Sequence, residues 1–297
     1  MADNRKIASG AVVITGGSTG IGQACAHYLD SLGFHVFAGV RRVSDGEAAK
    51  RESSGRITPL LLNVTDAASI GSAAETVAAT VGDAGLSGLV NNAGIVVAGP
   101  LEFLPLDKTR KQFEVNVLGQ IAVTQAFLPL LRKSRGRIVN MGSISGRVAA
   151  PFIGPYAASK FALEAFTDSL RVELQPWDIK VSIIEPGDVA TPIWEKSLEA
   201  AEKVAKNYPQ EAFSLYGSAF SAIRKEAKNG ANTGISPNVI ARLVAHALSA
   251  KRPRTRYLAG KGVQLKVFLK KILPDRVFDR LIIRHLGLPR AGRSGEE

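Results

Sequence analysis

Three side chains within residues 142–160 (GSISGRVAAPFIGPYAASK) could together hold an oxygen and move a proton: the Ser143 hydroxyl, the Tyr156 phenol and the Lys160 ammonium. Tyr156 and Lys160 are four apart, so on a helix they stand one above the other on a single face. A phenol titrates at about 10 in water. A neighbouring ammonium favours the phenolate and draws that value toward the working pH, where a general acid/base acts best. Ser143 would hold a substrate oxygen while Tyr156 moves its proton. Taken singly, each residue has a bland reading, since a Tyr-x-x-x-Lys pair is usually a packed ring beside a solvated charge. The case depends on the elements that surround them.

Pro155 suits the first turn of a helix, where its missing N–H costs nothing, and the helix is expected over residues 156–174. The apolar run 137–141 (RIVNM) reads as a strand, which leaves Ser143 just past a strand end. Earlier, residues 11–15 (AVVIT) read as a buried strand, followed by GGSTGIG and a helical pattern to residue 32. Gly16, Gly20 and Gly22 allow a tight turn and a close approach of backbone to a pyrophosphate, which would face a helix N-terminus. Residues 35–40 form the second strand. Where it ends, an acid would accept a hydrogen bond from the ribose of NAD, whereas an arginine would accommodate the 2′-phosphate of NADP. Arg41 and Arg42 stand there, with the nearest acid at Asp45, which favours NADP(H) over NAD(H). The alternative is two solvated arginines in a turn.

A third strand is expected at 57–62, with Asn63 placed to meet an adenine, and Asp66 caps a helix to residue 81. Residues 88–91 are a fourth strand, closing in Asn91-Asn92-Ala93-Gly94. A long helix over 109–133 carries Asn116 in its apolar first half, where a buried amide must find partners and is structural unless it faces a cavity. Residues 180–184 are a sixth strand, ending at Glu185-Pro186-Gly187. Residues 192–235 interrupt the alternation with aromatics among charged helical positions, and a connection this long in a compact sheet reads as a lid. A helix capped by Ser236 and a seventh strand at 256–259 follow. The alternation predicts a single-domain α/β fold over residues 1–260, a Rossmann-type doubly wound parallel sheet of seven strands with its site at the strand C-termini.

Composition narrows the classes. The chain has 297 residues, 45% of them hydrophobic and 22% charged, as in a soluble globular protein. A single cysteine, Cys25, excludes an internal disulfide and fits a reducing, cytoplasmic setting. The four histidines show no metal spacing, no metal site is expected, and no stretch reads as a signal peptide or membrane span. The net charge is +12, but from residue 251 onward 13 Lys and Arg face four Asp and Glu, so the excess is largely a tail property. A nucleic-acid groove is not indicated. In that tail, residues 261–297, Leu265, Phe268, Leu269 and Ile272 recur at helical spacing. After Pro274, Phe278, Leu281, Ile282 and His285 share one face and Arg276, Arg280 and Arg284 another, until Gly287. These two helices either pack over the lid or a partner subunit, or lie on an anionic bilayer as a peripheral membrane contact.

The motifs TGGSTGIG (15–22), NNAG (91–94), Asn116, Ser143, Tyr156-x-x-x-Lys160 and Pro186-Gly187, in this order and spacing, resemble the short-chain dehydrogenase/reductase family from about residue 11 to 191. VNNAGIVVAGPLEF, GRIVNMGSISGR and SKFALEAFTDSLRVEL are similar to the branch holding 17β-hydroxysteroid, retinol and 3-hydroxybutyrate dehydrogenases. The resemblance implies that Tyr156 is the acid/base and that Ser143 orients the substrate oxygen. Lys160 would hold the nicotinamide ribose and lower the tyrosine pKa, and Asn116 would position a water in the proton relay. It implies a cofactor cradle of Gly16, Ser18, Thr19, Gly20, Ile21, Gly22, Arg41, Arg42, Asn63, Val64, Asn92, Ala93, Gly94, Pro186, Gly187, Val189 and Thr191, shared with Tyr156 and Lys160. Asn63 departs from the Asp usual at the adenine contact. Substrate contacts are expected from Val148, Phe152, Ile153, Trp194, Phe213 and Tyr216. The expected activity interconverts a hydroxyl and a carbonyl on a small, largely apolar molecule such as a steroid, retinoid, long-chain or aryl alcohol, in a homodimer or homotetramer. A non-catalytic nucleotide-binding regulator, or an epimerase or dehydratase on the same site, remains the alternative.

Overall fold

In the computed structural model, which describes residues 10–51 and 53–288, strands and helices alternate from the start. In chain order they are β1 (Ala11–Ile14), α1 (Gly20–Ser31), β2 (His35–Val40), α2 (Val43–Arg51), β3 (Ile57–Leu61), α3 (Ala67–Val81), β4 (Gly88–Asn91), α4 (Leu106–Phe113), α5 (Gly119–Ser134), β5 (Arg137–Met141), α6 (Gly154–Glu173) and β6 (Lys180–Pro186). Then come α7 (Ile193–Ala205), α8 (Gln210–Thr233), α9 (Pro237–Ser249), β7 (Arg256–Ala259), α10 (Val263–Ile272) and α11 (Asp275–Leu286). The seven strands form one sheet in the order β3-β2-β1-β4-β5-β6-β7, with every pair parallel. The order reverses between β1 and β4, the point where an open parallel sheet leaves a crevice beyond its strand ends.

Side chains alternate across this sheet with period two, and each face has its own core. Val12 and Ile14 join Val36, Val90, Val139 and Ile184 under α1 and α9. Val13, Phe37, Leu89, Ile138 and Val181 pack under α3 and α5, where Phe127 has no solvent exposure. Helix starts follow the expected chemistry. Asp66 accepts hydrogen bonds from the amides of Ala68 (2.9 Å) and Ser69 (3.2 Å), and Ser236 accepts from Asn238 (3.3 Å).

The differences from expectation have local causes. α2 was not anticipated, because its nine residues (VSDGEAAKR) include a glycine and show no clear apolar stripe. Gly46 is needed there, since a Cβ would meet Pro59 of β3 at 2.5 Å. β6 runs two residues past its apolar core because Glu185 and Pro186 pair with Leu258 and Ala259 of β7. No membrane-length span was expected either, yet the continuous helix Leu106–Ser134 is long and apolar enough to be one. Half of its most apolar stretch is buried in the fold, which is how a core helix satisfies the same test.

In the tail, the stripe expected to share a face on α10 points outward: Leu265, Phe268 and Ile272 are 59%, 56% and 54% exposed. α10 is held instead by Val263, buried against Gly187 and Gly260, and α11 by buried Phe278, with Lys270 over its ring at 5.3 Å and paired with Asp275 at 2.6 Å. Residues 289–297 lie outside the described residues.

Removing the Phe127 ring should test the second core directly. Phe127→Ala is expected to lower folding stability by about 3–5 kcal/mol, read from the denaturant midpoint at unchanged slope.

Candidate active site

Because all strands run one way, the loops after β1, β4, β5 and β6 gather at one edge of the sheet. The loop after β1 is tied down first. Thr15 Oγ1 accepts from the amides of Asn92 and Ala93, both at 2.9 Å, and Asn92 Nδ2 donates back to the carbonyls of Thr15 (3.0 Å) and Gly16 (3.1 Å). Gly16 and Gly20 take φ of +66° and +59°, which side chains avoid. At Gly22 a Cβ would stand 2.1 Å from the Gly16 carbonyl, so the turn admits only glycine. Gly20 faces Thr191, whose Cβ would be 3.2 Å from an added methyl. The loop after β6 therefore closes against the glycine loop at the N-terminus of α1. This leaves a bare-backbone cradle of the kind a pyrophosphate needs, and the residues present fit a dinucleotide.

The catalytic candidates come from β5, α5 and α6. Ser143 lies just past β5, 7% exposed, and its Oγ accepts from the Ser145 amide at 3.1 Å to start one tight helical turn. Tyr156 sits in the first turn of α6, half-buried, with Pro155 beside it. Lys160 is 4% exposed, its ammonium 5.7 Å from the Tyr156 ring centre and donating to the Met141 carbonyl at 2.7 Å. Burial raises the Tyr156 pKa above the ordinary phenol value, and the Ser143 hydroxyl pulls it part of the way back. Lys160, whose ammonium is bound to the Met141 carbonyl, is not among the groups that move the Tyr156 phenol. The same burial lowers Lys160 itself to about 8, opposed by the charge of Glu164.

Asn116 falls in a wider helical turn, Glu114–Leu118, between α4 and α5. Fully buried, it accepts from the Ile95 amide (2.9 Å) and donates to the Ile95 carbonyl (3.0 Å) and to Ser159 Oγ (3.2 Å). Ser159 in turn donates to the Tyr156 carbonyl at 2.7 Å, which connects the loop after β4 to the tyrosine's own helix turn. Wide turns of this kind often occur at functional sites.

Other expected contacts are partly taken up elsewhere. Arg42 makes a two-point pair with Asp45, both contacts at 3.1 Å, whereas Arg41 is exposed and makes no hydrogen bond or ion pair among the described residues. Asn63 Oδ1 closes a local turn with Thr65. Trp194 donates to the Val189 carbonyl at 2.8 Å and its ring covers Gly230, so it fastens α7 to α8. Phe213 packs against Phe220 as a tilted ring pair at 5.5 Å and is 41% exposed. Tyr216, at a kink in α8, meets Phe103 and Phe152 edge-on at 6.0 and 6.3 Å and donates to Glu102 at 2.8 Å. Phe103 and Tyr208, 6.1 Å apart, complete that aromatic cluster and were not anticipated as site residues. Nothing in the local pattern of Phe103 set it apart from an ordinary loop aromatic.

Also unanticipated is a buried charged group behind Lys160. Glu164 is 7% and Glu185 1% exposed. Arg147 lies 3.3 Å from Glu185 and 3.7 Å from Glu164, and Arg256 3.0 Å from Glu164. The i,i+4 spacing of Lys160 and Glu164 was the available signal.

A family profile for short chain dehydrogenase matches residues 10–202 of this chain. The chain belongs to the short-chain dehydrogenase family. Retinol dehydrogenase 5 of Mus musculus is 39% identical over 279 residues, covering 91% of this chain and 87% of that protein. 17-beta-hydroxysteroid dehydrogenase type 6 of Bos taurus is 38% identical, with 92% and 87% covered. A mitochondrial D-beta-hydroxybutyrate dehydrogenase of Rattus norvegicus is 40% identical, with 83% and 76% covered. Among solved structures, a short-chain dehydrogenase from Streptomyces avermitilis superposes with a TM-score of 0.73 at 25% identity, covering 94% of this chain and 96% of that one. One from Burkholderia cenocepacia, in complex with NADP, reaches 0.69 at 24% identity, with 96% and 100% covered. This short-chain dehydrogenase is therefore an oxidoreductase of the branch that holds retinol, steroid and hydroxybutyrate dehydrogenases.

Proposed function

We propose that this enzyme interconverts a hydroxyl and a carbonyl on a largely apolar substrate, using NADP(H) in preference to NAD(H). The observation that carries the reading is the placing of Ser143, Tyr156 and Lys160 at the sheet edge that also holds the glycine cradle. When bound, the nicotinamide supplies or takes up the hydride. Ser143 holds the substrate oxygen and Tyr156 gives or takes its proton. Lys160 keeps positive charge beside the phenol, and Asn116 keeps the loop after β4 in register with α6. The glycine cradle holds the pyrophosphate, with Thr191 closing it.

The aromatic wall of Phe103, Phe152, Tyr208 and Tyr216 supports a hydrophobic substrate under a lid made by α7 and α8. The relatives' names point to retinoids, steroids or short hydroxy acids, and the wall favours the first two. Net change of NAD(P)H absorbance with such substrates, in both directions, separates a dehydrogenase from an epimerase, a dehydratase or a non-catalytic binder.

The exposed Leu265, Phe268 and Ile272, with Lys266 and Lys271 beside them and Arg276, Arg280 and Arg284 on α11, support a peripheral membrane contact through the tail. A basic amphipathic surface of this kind binds anionic bilayers.

Tyr156→Phe keeps the ring and removes only the transferable proton. Turnover should fall by about 10²–10⁴-fold with the fold intact; near-normal turnover would exclude the acid/base role. Because Arg41 is exposed just past β2 and, among the described residues, makes no ion pair, Arg41→Ala should raise the KM for NADPH about ten- to a hundredfold, since a charge-assisted contact contributes about 1.5–3 kcal/mol. The KM for NADH should hardly move, and a wild-type preference for NADH would refute the assignment. In vesicle flotation, the full chain should float with anionic but not neutral liposomes and be released by salt, as charge attraction requires. Equal behaviour with both would show that the exposed stripe serves another purpose.

A further inference from the structure

The lid must be held over the aromatic wall, and its own packing supplies little hold. α7 buries none of its residues, and among the described residues of α8 only Ala212 and Gly230 are buried. The polar side chains of α8 mostly bond within the lid. Ser214 donates to the Glu211 carbonyl, Thr233 to that of Asn229, and Arg224 pairs with Glu202 of α7 at 2.9 Å. Tyr216 is the exception. Its hydroxyl donates at 2.8 Å to Glu102, on the loop between β4 and α4. Among the described residues this is the one side-chain hydrogen bond that ties α8 to a part of the chain outside the lid.

The contact is made where the backbone departs from its regular course. Tyr216 leaves helical geometry (φ −122°, ψ 15°), which kinks α8 at that residue. Phe152 meets the Tyr216 ring edge-on at 6.3 Å from a φ of +67°, a region that bulky side chains avoid. Such strain persists only where the surroundings impose it. Here the Phe152 carbonyl accepts from the Gly99 amide at 2.7 Å. Gly99 in turn has no room for a side chain, since a Cβ would stand 2.7 Å from the Tyr208 hydroxyl. Phe103, next to Glu102 in the chain, meets the rings of Tyr216 and Tyr208 at 6.0 and 6.1 Å. The loop after β4, the segment joining Ser143 to Tyr156 and the lid therefore meet in one aromatic junction, and Glu102 is hydrogen-bonded into it.

We propose that Glu102 is a specificity-determining positioning residue. By holding the Tyr216 hydroxyl it latches α8 at its kink and presents Phe103, Phe152 and Tyr216 as a preformed wall, which selects rigid ring or polyene substrates over short hydroxy acids. The inference rests on the apolar substrate proposed above. A rigid substrate lying along a wall that is already ordered gains its contacts without the cost of ordering it. A short hydroxy acid has too little apolar surface to gain in the same way. Tyr216 thus meets the substrate with its ring, while its hydroxyl is committed to Glu102.

Three substitutions in the full chain separate this contact from the rings. Tyr216→Phe keeps the ring and removes the donor, Glu102→Leu removes the acceptor, and Glu102→Gln keeps an oxygen that accepts. The readout is kcat/KM for a 17β-hydroxysteroid and for retinol, each divided by that for 3-hydroxybutyrate. In Tyr216→Phe and Glu102→Leu these ratios should fall about five- to tenfold, mainly through KM. That is the lower end of what a hydrogen bond to a charged group contributes, because this one is exposed. Glu102→Gln should restore them to within about threefold of wild type, and the double variant Tyr216→Phe/Glu102→Leu should be no worse than either single change. Hydrogen exchange of the α8 amides reads the latch without turnover, and should quicken in the two breaking variants but not in Glu102→Gln. Exchange that stays at the wild-type rate in all three overturns the latch. Faster exchange with unchanged ratios, or a wild type that prefers 3-hydroxybutyrate, overturns its part in specificity. A wild type that turns over none of the three substrates overturns the substrate reading instead, and the exchange rates then decide the latch by themselves.

Discussion

A sheet whose strands all run in one direction has two unlike edges, and here everything chemical is confined to one of them. β1, β4, β5 and β6 each end in a residue or loop that the site requires, and their parallel register sets those ends side by side. Each end also brings backbone amides and carbonyls that have lost their ladder partners. The fold answers with short polar side chains. Thr15 and Asn92 stitch the first two ends together, while Asn91, Thr124, Asn140 and Thr167 form a buried hydrogen-bonded chain across β4 and β5 to α5 and α6. These buried contacts hold the edge rigid, although Asn91 Oδ1 finds no hydrogen-bond partner among the described residues.

That rigidity explains why so much was legible in the residues alone. A strand followed by a glycine turn admits few geometries, and the three glycines after β1 can be assigned by what a methyl would strike. Tyr156 and Lys160 had to share a face of α6 once Pro155 marked its first turn. What escaped the reading depends on contacts between distant parts of the chain. Arg42 looked equivalent to Arg41 until Asp45 was seen to hold it. Trp194 looked like a substrate contact, but its indole nitrogen and ring face are taken by Val189 and Gly230. Glu185 and Arg256 are far apart in sequence, and nothing in either position announces that they flank the same carboxyl. The tail stripe has the expected period and faces outward, a direction the period does not decide, because docking on the fold falls to Val263 and Phe278.

The electrostatics of the site follow from its dryness more than from the charges it contains. Tyr156, Lys160 and Glu164 are each displaced toward their neutral forms first by burial and only then corrected by a neighbour. A site arranged in this way responds strongly to small changes in nearby charge, since water does little to screen them.

Cys25 lies on the inner face of α1 with no solvent exposure, and burial pushes its thiol up to about 12. Because the thiolate is the reacting form, this side chain is chemically silent toward alkylating reagents while the protein stays folded. The sequence contains no second cysteine. The native protein is therefore already a clean background for site-directed labelling. A thiol introduced at an exposed lid position such as Leu215 would carry the only reactive sulfur, so a fluorophore or spin label there would report motion of α8 alone.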